Sequence, residues 1–299
     1  MGKIVRAINK NHTIRMFAID STDMVQKAAE IHQTTPVASA ALGRTVTAAS
    51  MMGVMMKNDK DKLTFQIKGD GPLKGVVAVA YANGQTKAYP LNPWVDIPLK
   101  ENGKLDVSGA VGKGKLTVIK DFGLKEPYIG QTNLVTGEIA EDLTAYYAYS
   151  EQQPSAVALG VLVDKDHSIK AAGGFIVQLM PDTAEEEIDQ LEKNLSSISS
   201  VSHLIEEGKT PEDIIKIVLK GMDPVINDTL EVEYKCDCSR ERLEEALISI
   251  GISELEDILA NEKETQLQCH FCNKEYKFTE QDLKNIVVEL KNQHGGQNV

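Results

Sequence analysis

All four cysteines of this 299-residue chain fall within 37 consecutive positions, as Cys236-Asp237-Cys238 and Cys269-His270-Phe271-Cys272. Thirty residues separate the two pairs. The surrounding segment, 231–299, has few large apolar side chains, and a unit of 69 residues with so thin a core needs a staple. Four thiolates around one tetrahedral zinc ion supply such a staple. The C-x-x-C half is common at zinc-binding β-knuckles, whereas the one-residue spacing of the C-x-C half is less usual. A four-cysteine zinc site most often does nothing more than hold a small domain shut.

The opening residues, M-G-K-I-V-R-A-I-N-K, alternate in polarity and contain no apolar leader, which predicts a cytoplasmic protein. In that reducing compartment clustered cysteines bind metal or do redox chemistry rather than form a disulfide scaffold. The most apolar run, Pro36 to Met56, is built of small residues and carries Arg44 near its middle. An arginine at the centre of a bilayer costs about 3 kcal/mol, so no membrane span is expected. Charge is unevenly spread. Residues 1–180 carry 20 Lys+Arg against 17 Asp+Glu, 181–230 carry 4 against 12, and 231–299 carry 8 against 15, which sums to the overall −12. An acidic C-terminal half excludes a nucleic-acid partner, since phosphate binding needs clustered Lys and Arg.

The first 180 residues read as mixed α+β. Ile4, Arg6 and Ile8, then Ile14, Met16 and Ala18, alternate with neighbours pointing the other way around N-K-N-H, which predicts a hairpin. Thr22 to His32 follows a helical pattern, and Pro36 opens a second helix that stops at Lys57-Asn58-Asp59. L-T-F-Q-I-K, V-V-A-V-A-Y, L-T-V-I-K, A-V-A-L-G-V-L-V and G-F-I-V-Q-L read as strands, and Asn83-Gly84 carries the type I′ signal of a tight hairpin. A helix over Glu138 to Tyr149 interrupts them. Strands and helices do not alternate strictly, so the expected fold class is α+β: a largely antiparallel N-terminal sheet packed by helices, a helical linker, and a small C-terminal zinc-binding domain. The expected domains are 1–180, 181–230 and 231–299.

In the linker, Ile188, Leu191, Leu195 and Ile198 form a narrow apolar seam on an otherwise polar helix. Ser196, Ser197, Ser199 and Ser200 weaken its later turns. A second helix begins at Thr210-Pro211, with Asp213 placed to return the capping bond and Ile214, Ile215, Val218 and Leu219 on its apolar side. Helices this one-sided are marginal alone and must lean on something. If the seam lies on the N-terminal sheet, undocking it exposes two apolar faces at once, which makes Ile188, Leu191, Leu195 and Ile198 candidates for binding apolar partners.

In the third segment E-V-E-Y-K is expected as a strand leading to Cys236. Ser239 caps a helix with Leu243, Ala246, Leu247 and Ile250 inward, and Ser253 with Glu256 fits a capping box for another. T-Q-L-Q-C-H-F-C-N-K-E-Y-K-F reads as a hairpin with C-H-F-C at its knuckle, followed by a last helix begun by Thr279 and Asp282.

Any thiol chemistry this chain performs happens at these four cysteines. Both pairs are short enough to close on themselves once a metal leaves, and a C-x-C disulfide closes a small, strained, easily reduced ring. Zinc-bound thiolates remain nucleophilic toward peroxide. Metal binding contributes on the order of 10 kcal/mol to folding such a unit, so its loss can unfold it. A redox-to-folding switch is thus physically available, although the chemistry alone does not show its use. A zinc-stabilised binding or adaptor module without a switch fits the same residues.

The stretch C-D-C-S-R-E-R-L-E-E-A-L-I-S-I-G-I-S-E-L-E-D-I-L with C-H-F-C-N-K-E-Y-K-F-T-E-Q-D-L resembles the redox-regulated 33-kDa heat-shock chaperone family, as do H-Q-T-T-P-V-A-S-A-A-L-G-R, F-Q-I-K-G-D-G-P-L and G-F-I-V-Q-L-M-P. The resemblance spans essentially the whole chain. It implies that Cys236, Cys238, Cys269 and Cys272 bind one zinc ion when reduced, and that oxidation pairs Cys236 with Cys238 and Cys269 with Cys272. It further implies an ATP-independent holdase that dimerises when active and holds unfolding client proteins through exposed apolar surface. His270, between two ligands, is expected to be exposed or to sit behind them.

Other motifs carry less. G-A-V-G-K-G-K-L nearly spells a phosphate-binding loop, but Leu116 stands where Ser or Thr must hold magnesium, so it is read as a hairpin turn and no nucleotide is expected. G-D-G-P-L-K-G is read as a tight turn. His12, His32, His167, His203 and His294 lack ligand spacing, and no catalytic set stands out, so no enzyme activity is expected. Met51, Met52, Met55 and Met56 are read as core, although Met-rich faces also suit promiscuous binding.

Overall fold

The computed structural model describes residues 1–262 and 264–295, with side chains through 292. The chain divides into two compact units after Lys235. The first is an α+β unit built on one ten-stranded sheet. Its early elements are β1 (Gly2–Ile8), β2 (Ile14–Asp20), α1 (Thr22–His32), α2 (Pro36–Val54), β3 (Lys62–Gly69), β4 (Gly75–Tyr81) and β5 (Gln85–Pro90). There follow α3 (Val107–Val111), β6 (Gly114–Asp121), β7 (Tyr128–Asn133), α4 (Ala140–Tyr149), β8 (Ser155–Val163) and β9 (Ile169–Leu179). The strand order is β7-β6-β3-β4-β5-β10-β1-β2-β9-β8, where β10 is Val225–Tyr234. Every neighbouring pair is antiparallel except β10 with β5.

The expected hairpin forms at Asn9–Thr13, where the Asn9 side-chain oxygen accepts from the main-chain N–H groups of Thr13 and Ile14, both at 2.9 Å. Period-2 alternation then sends β1 and β2 side chains to two cores. Ile4, Phe17 and Ile19 join the core on the α1–α2 face, while Val5, Ala7, Met16 and Ala18 join the core on the other. Helix α2 is buried all round; only Pro36 and Arg44 are partly exposed. Its small residues permit close approach: a Cβ on Gly43 would lie 2.5 Å from Val25 Cγ1. Met51 and Met52 belong to the core, and Met55 and Met56 pack half-buried against it. Arg44 resolves its placement in an apolar helix through Glu138, whose carboxylate it meets at 2.5 Å and whose carbonyl it meets at 3.0 Å.

Three local expectations change. The β4–β5 hairpin forms, but over a three-residue loop in which Gly84 alone is left-handed (φ 86°), so the type I′ turn is absent. The string at Gly109–Leu116 is not a hairpin turn; it ends α3 and begins β6. Both glycine-rich strings belong to one close backbone crossing, since a Cβ on Gly71 would lie 2.4 Å from the Ala110 carbonyl. Finally, E-V-E-Y-K is the end of β10 and lies in the large sheet, paired with β1 and β5. Its Tyr234 is buried and donates to the Ala88 carbonyl at 2.6 Å. Those partner strands are far away in sequence, so a five-residue pattern could not announce them.

The segment after β9 forms α5 (Glu185–Ser196), a short α6 (Val201–Glu206) and α7 (Pro211–Val218). These helices lie on the sheet face lined by Val5, Met16, Ala18, Phe175 and Val177. Leu191 is buried there, Leu195 and Ile198 pack half-buried against the same cluster, and Ile188 is half-buried outside it. Ser196 and Ser197 donate to the carbonyls of Lys193 and Asn194 and so close α5. Thr210 and Asp213 make the expected capping box of α7. Among the described residues no helix is long and apolar enough to cross a membrane.

The second unit comprises α8 (Arg240–Ile250), α9 (Ile252–Asn261), a two-stranded hairpin β11 (Glu264–Gln268) and β12 (Glu275–Thr279), and α10 (Glu280–Gly295). Among the described residues, eight buried hydrophobic side chains, from Leu247 to Leu290, make its core. On α8 Leu247 is buried and Leu243 packs partly buried, but Ala246 and Ile250 face solvent, because so small a core covers only a narrow seam. The Ser253–Glu256 box does not form; the cap of α9 lies two residues earlier, on Gly251 (φ 95°), which also closes α8. Thr279 and Asp282 do cap α10.

Candidate metal centre

The four cysteines come from two places in the second unit. Cys236 and Cys238 precede α8, whose N-cap Ser239 accepts from the Arg242 N–H at 3.3 Å. Arg242 also binds the Asp237 carboxylate, which holds the residue between the two thiols in place. Cys269 and Cys272 flank the turn between β11 and β12. There the Cys269 N–H donates to the Lys274 carbonyl at 3.0 Å, and the Cys269 carbonyl accepts from Asn273 at 2.8 Å and Cys272 at 3.3 Å. Asn273 takes the left-handed conformation (φ 58°) that closes the knuckle. The expected hairpin with C-H-F-C at its tip is therefore present. Arg240 ties the two sources together: it donates to the Lys277 carbonyl at 2.6 Å, meets Asp282 at 2.9 Å and lies 4.4 Å from the centre of the Phe278 ring.

The result is a compact set of sulfurs, all within 4.8 Å of one another. Cys236 and Cys269 lie 3.7 Å apart, and Cys238 and Cys272 lie 3.4 Å apart. Thiolates at about 2.3 Å around a tetrahedral zinc ion sit about 3.8 Å from one another, so the spacing and the donor type fit that ion. His270 is exposed and not part of the cluster.

The thiols are not equivalent. Burial pushes the Cys236 and Cys272 thiols above the ordinary cysteine range. Burial also opposes ionisation of Cys238, but hydrogen bonds from Tyr276 and the neighbouring cysteines outweigh it and hold that thiol below its usual value. The single Tyr276 hydroxyl proton lies within reach of both the Cys238 sulfur, at 3.3 Å, and the Cys238 carbonyl, at 3.2 Å. The role of Tyr276 was not legible beforehand; it reads simply as an inward residue of a strand, two positions before Phe278.

Outside the cluster, the linker seam is fastened by polar groups that the apolar pattern did not reveal. Glu187 accepts from Asn9 at 2.8 Å, Asn11 at 3.0 Å and Thr13 at 2.9 Å. Buried Asn194 donates to the carbonyls of Val218 and Lys220, both at 2.9 Å. Lys3 on β1 pairs with Glu212 on α7. Nothing in the run E-E-E singles out Glu187. The other histidines behave as structural or surface residues where described: His32 bonds the Ala88 carbonyl at 2.9 Å, His203 meets Glu206 at 3.1 Å, and His12 and His167 sit in turns. The His294 side chain lies outside the described residues.

Comparison with known proteins agrees with this architecture. The chain is 53% identical over 289 residues to a 33 kDa chaperonin of Clostridium perfringens, covering 96% of this chain and 92% of that protein. It is 54% identical over 286 residues to the 33 kDa chaperonin of Ruminiclostridium cellulolyticum, covering 96% and 98%. The crystal structure of the 33 kDa chaperonin (heat shock protein 33 homolog) of Thermotoga maritima matches with a TM-score of 0.89 at 36% identity, over 97% of this chain and 99% of that one. The family model described as Hsp33 protein matches residues 2–279, and the chain belongs to that family, which is one of chaperones rather than enzymes.

Proposed function

We propose that this protein is a redox-regulated, ATP-independent holdase that binds unfolding proteins and keeps them from aggregating under oxidative stress. The observation that carries the reading is the four-sulfur cluster in a unit with so small a core. In the reduced protein Cys236, Cys238, Cys269 and Cys272 hold one Zn2+ ion, which supplies the folding free energy that eight buried side chains do not. Peroxide oxidises the thiolates in pairs. Each pair gives up two electrons to form one disulfide, Cys236–Cys238 or Cys269–Cys272, while the peroxide O–O bond breaks and leaves as two hydroxide ions. Two disulfides leave no thiolate ligands, so the metal departs and the unit that it held unfolds.

The linker helices, α5 to α7 of the segment 181–230, follow. These helices hold to the sheet by a one-sided apolar seam and a few polar fastenings, and undocking exposes Ile188, Leu191, Leu195 and Ile198 together with the sheet face beneath the helices. Unfolding client proteins bind that surface. The active form is a homodimer, and the protein works in the cytoplasm. The domain plan is a sheet domain, a linker and a zinc-binding redox switch, expected from the sequence at 1–180, 181–230 and 231–299; β10 (Val225–Tyr234) belongs with the sheet, so the switch begins at Cys236.

The test is zinc release and suppression of client aggregation, each measured with and without peroxide at elevated temperature. Zinc release together with client protection only after oxidation is the expected result. If the oxidised, zinc-free protein lets clients aggregate, the holdase reading fails and a zinc-stabilised adaptor remains.

A further inference from the structure

Strand β8 stands at one end of the large sheet and, among the described residues, pairs with β9 alone. Its sequence, S-A-V-A-L-G-V-L-V, runs nine residues with no charge and no proline. Natural sheets guard their edges with lysine, proline, a bulge or a short strand, because a long apolar edge invites another chain. The opposite edge strand, β7, is six residues of Y-I-G-Q-T-N, shorter and polar over its last three. In β8 the only irregularity lies at the far end, between Leu162 and Val163.

The side chains of β8 are already engaged. Val157, Leu159, Val161 and Val163 pack toward α2, and Ala156, Ala158 and Leu162 pack toward the α5–α7 side. What remains is main chain. Alternate residues of an antiparallel strand turn N–H and C=O outward, and no turn, loop or side chain among the described residues takes up those of 156–163.

The edge is also recessed. A cleft of about 520 Å³ runs along residues 157–163. Leu105, Glu138 and Ala140 line it, as do Ile198 to His203; Leu105 packs with the core on the α2 face, and Ile198 and Val201 with the core on the other. Ser202 presses so close that a Cβ on Gly160 would lie 2.9 Å from its own. The wall at Ile198 to His203 belongs to the linker, so undocking of the linker uncovers the edge on that side, while Leu105, Glu138 and Ala140 still stand beside it and leave room for a single strand. The cleft offers no net charge to recognise: Arg44 is paired with Glu138, His203 meets Glu206, and the remaining rim charges, Lys104 and Glu141, are opposite in sign.

We propose that the β8 edge takes one extended, uncharged apolar segment of an unfolding protein as an added strand. The proposal rests on the holdase reading and names the form in which part of a client is held. Main-chain hydrogen bonds supply the affinity in such β-augmentation, so recognition is tolerant of side-chain sequence.

The probe is a fluorescent eight-residue peptide of alternating valine and threonine, added to the oxidised full-length chain. Three results are expected. Amide hydrogen exchange over 155–163 slows about tenfold with peptide bound. A peptide N-methylated at alternate amides, which keeps one hydrogen-bonding edge, binds about as well as the parent, whereas one N-methylated at every amide loses about tenfold although it is more apolar. Leu162→Lys weakens binding about tenfold, and the peptide series answers the question even if that variant is poorly folded. Unchanged exchange over 155–163, or full binding by the fully N-methylated peptide, overturns the edge site. Light scattering on the same sample separates the two readings: an oxidised chain that protects no client sinks both, and one that protects clients with unchanged exchange sinks the edge site alone. Protection of 155–163 that rises with protein concentration without peptide assigns the edge to a second copy and overturns the proposal.

Discussion

The sulfur of Cys238 lies 3.4 Å from the sulfur of Cys272, so a thiol from the start of α8 touches a thiol from the β11–β12 knuckle. That contact, with its counterpart between Cys236 and Cys269 at 3.7 Å, spans the second unit, where one small cluster of apolar side chains does the remaining work. Whatever binds these sulfurs therefore couples the start of α8 to the β11–β12 knuckle, which Arg240 also joins.

Removing one ligand should uncouple them. Metal analysis is expected to give one zinc ion per chain for the reduced wild type and none for Cys269→Ser. Loss of a contribution on the order of 10 kcal/mol exceeds what so thin a core can replace. Amide exchange over 236–292 should then become fast while β1 to β4 stay protected. Retained zinc in this variant would count against four-thiolate binding.

The disulfide map after peroxide is a separate matter. In the folded unit the sulfur contacts run between the pairs, Cys236 to Cys269 and Cys238 to Cys272. Once the metal is gone and the unit opens, closure of the shortest loops dominates. Peptide mapping is expected to give Cys236–Cys238 and Cys269–Cys272. Cross-pair bonds would show that oxidation leaves the unit folded, against the switch.

The linker should be loosened by small changes to its fastenings. Leu191→Ala removes a buried leucine from the sheet face and is expected to cost about 2–5 kcal/mol. Asn194→Ala strips two carbonyls of their donor and should cost about 1–3 kcal/mol. Both variants should exchange faster over 185–218 in the reduced state and protect clients at lower oxidant doses. Unaltered exchange would mean that the helices do not depend on these contacts.

Acid should act on Glu138. Burial opposes its ionisation, but hydrogen bonds from Lys100 and Arg44 win and draw its pKa from 4.5 down to about 2. A depressed carboxylate contributes stability that is fully present above 4.5 and is lost as pH falls toward 2. Thermal melts should show the wild type more stable than Glu138→Gln at pH 7, with the gap closing between pH 4.5 and 2. A gap that stays constant would leave the Arg44–Lys100–Glu138 cluster without an electrostatic role.

Alternation and capping explain what was readable. Ile4 to Ala18 announced a hairpin, Leu63-Phe65-Ile67 a strand, and Thr210–Asp213 a helix start, because each depends on residues a few positions apart. The four cysteines were legible for the same reason, since their spacing is local and their chemistry narrow. The turn at Gly84, the box at Ser253 and the outward Ile250 were misread because each was decided by neighbours rather than by its own pattern.

The amino-acid order by itself thus determined the α+β class, the one-sided linker and the cysteines that can share a metal, through periodicity and side-chain chemistry. Tertiary structure alone decided that β10 closes the large sheet between β5 and β1, that Glu187 and Asn194 fasten the linker, and that β8 ends the sheet beside a cleft, paired among the described residues with β9 alone. Those outcomes turn on which strands and helices meet across tens to hundreds of residues. Such meetings are set by packing and loop closure over the whole chain, and no local pattern records them.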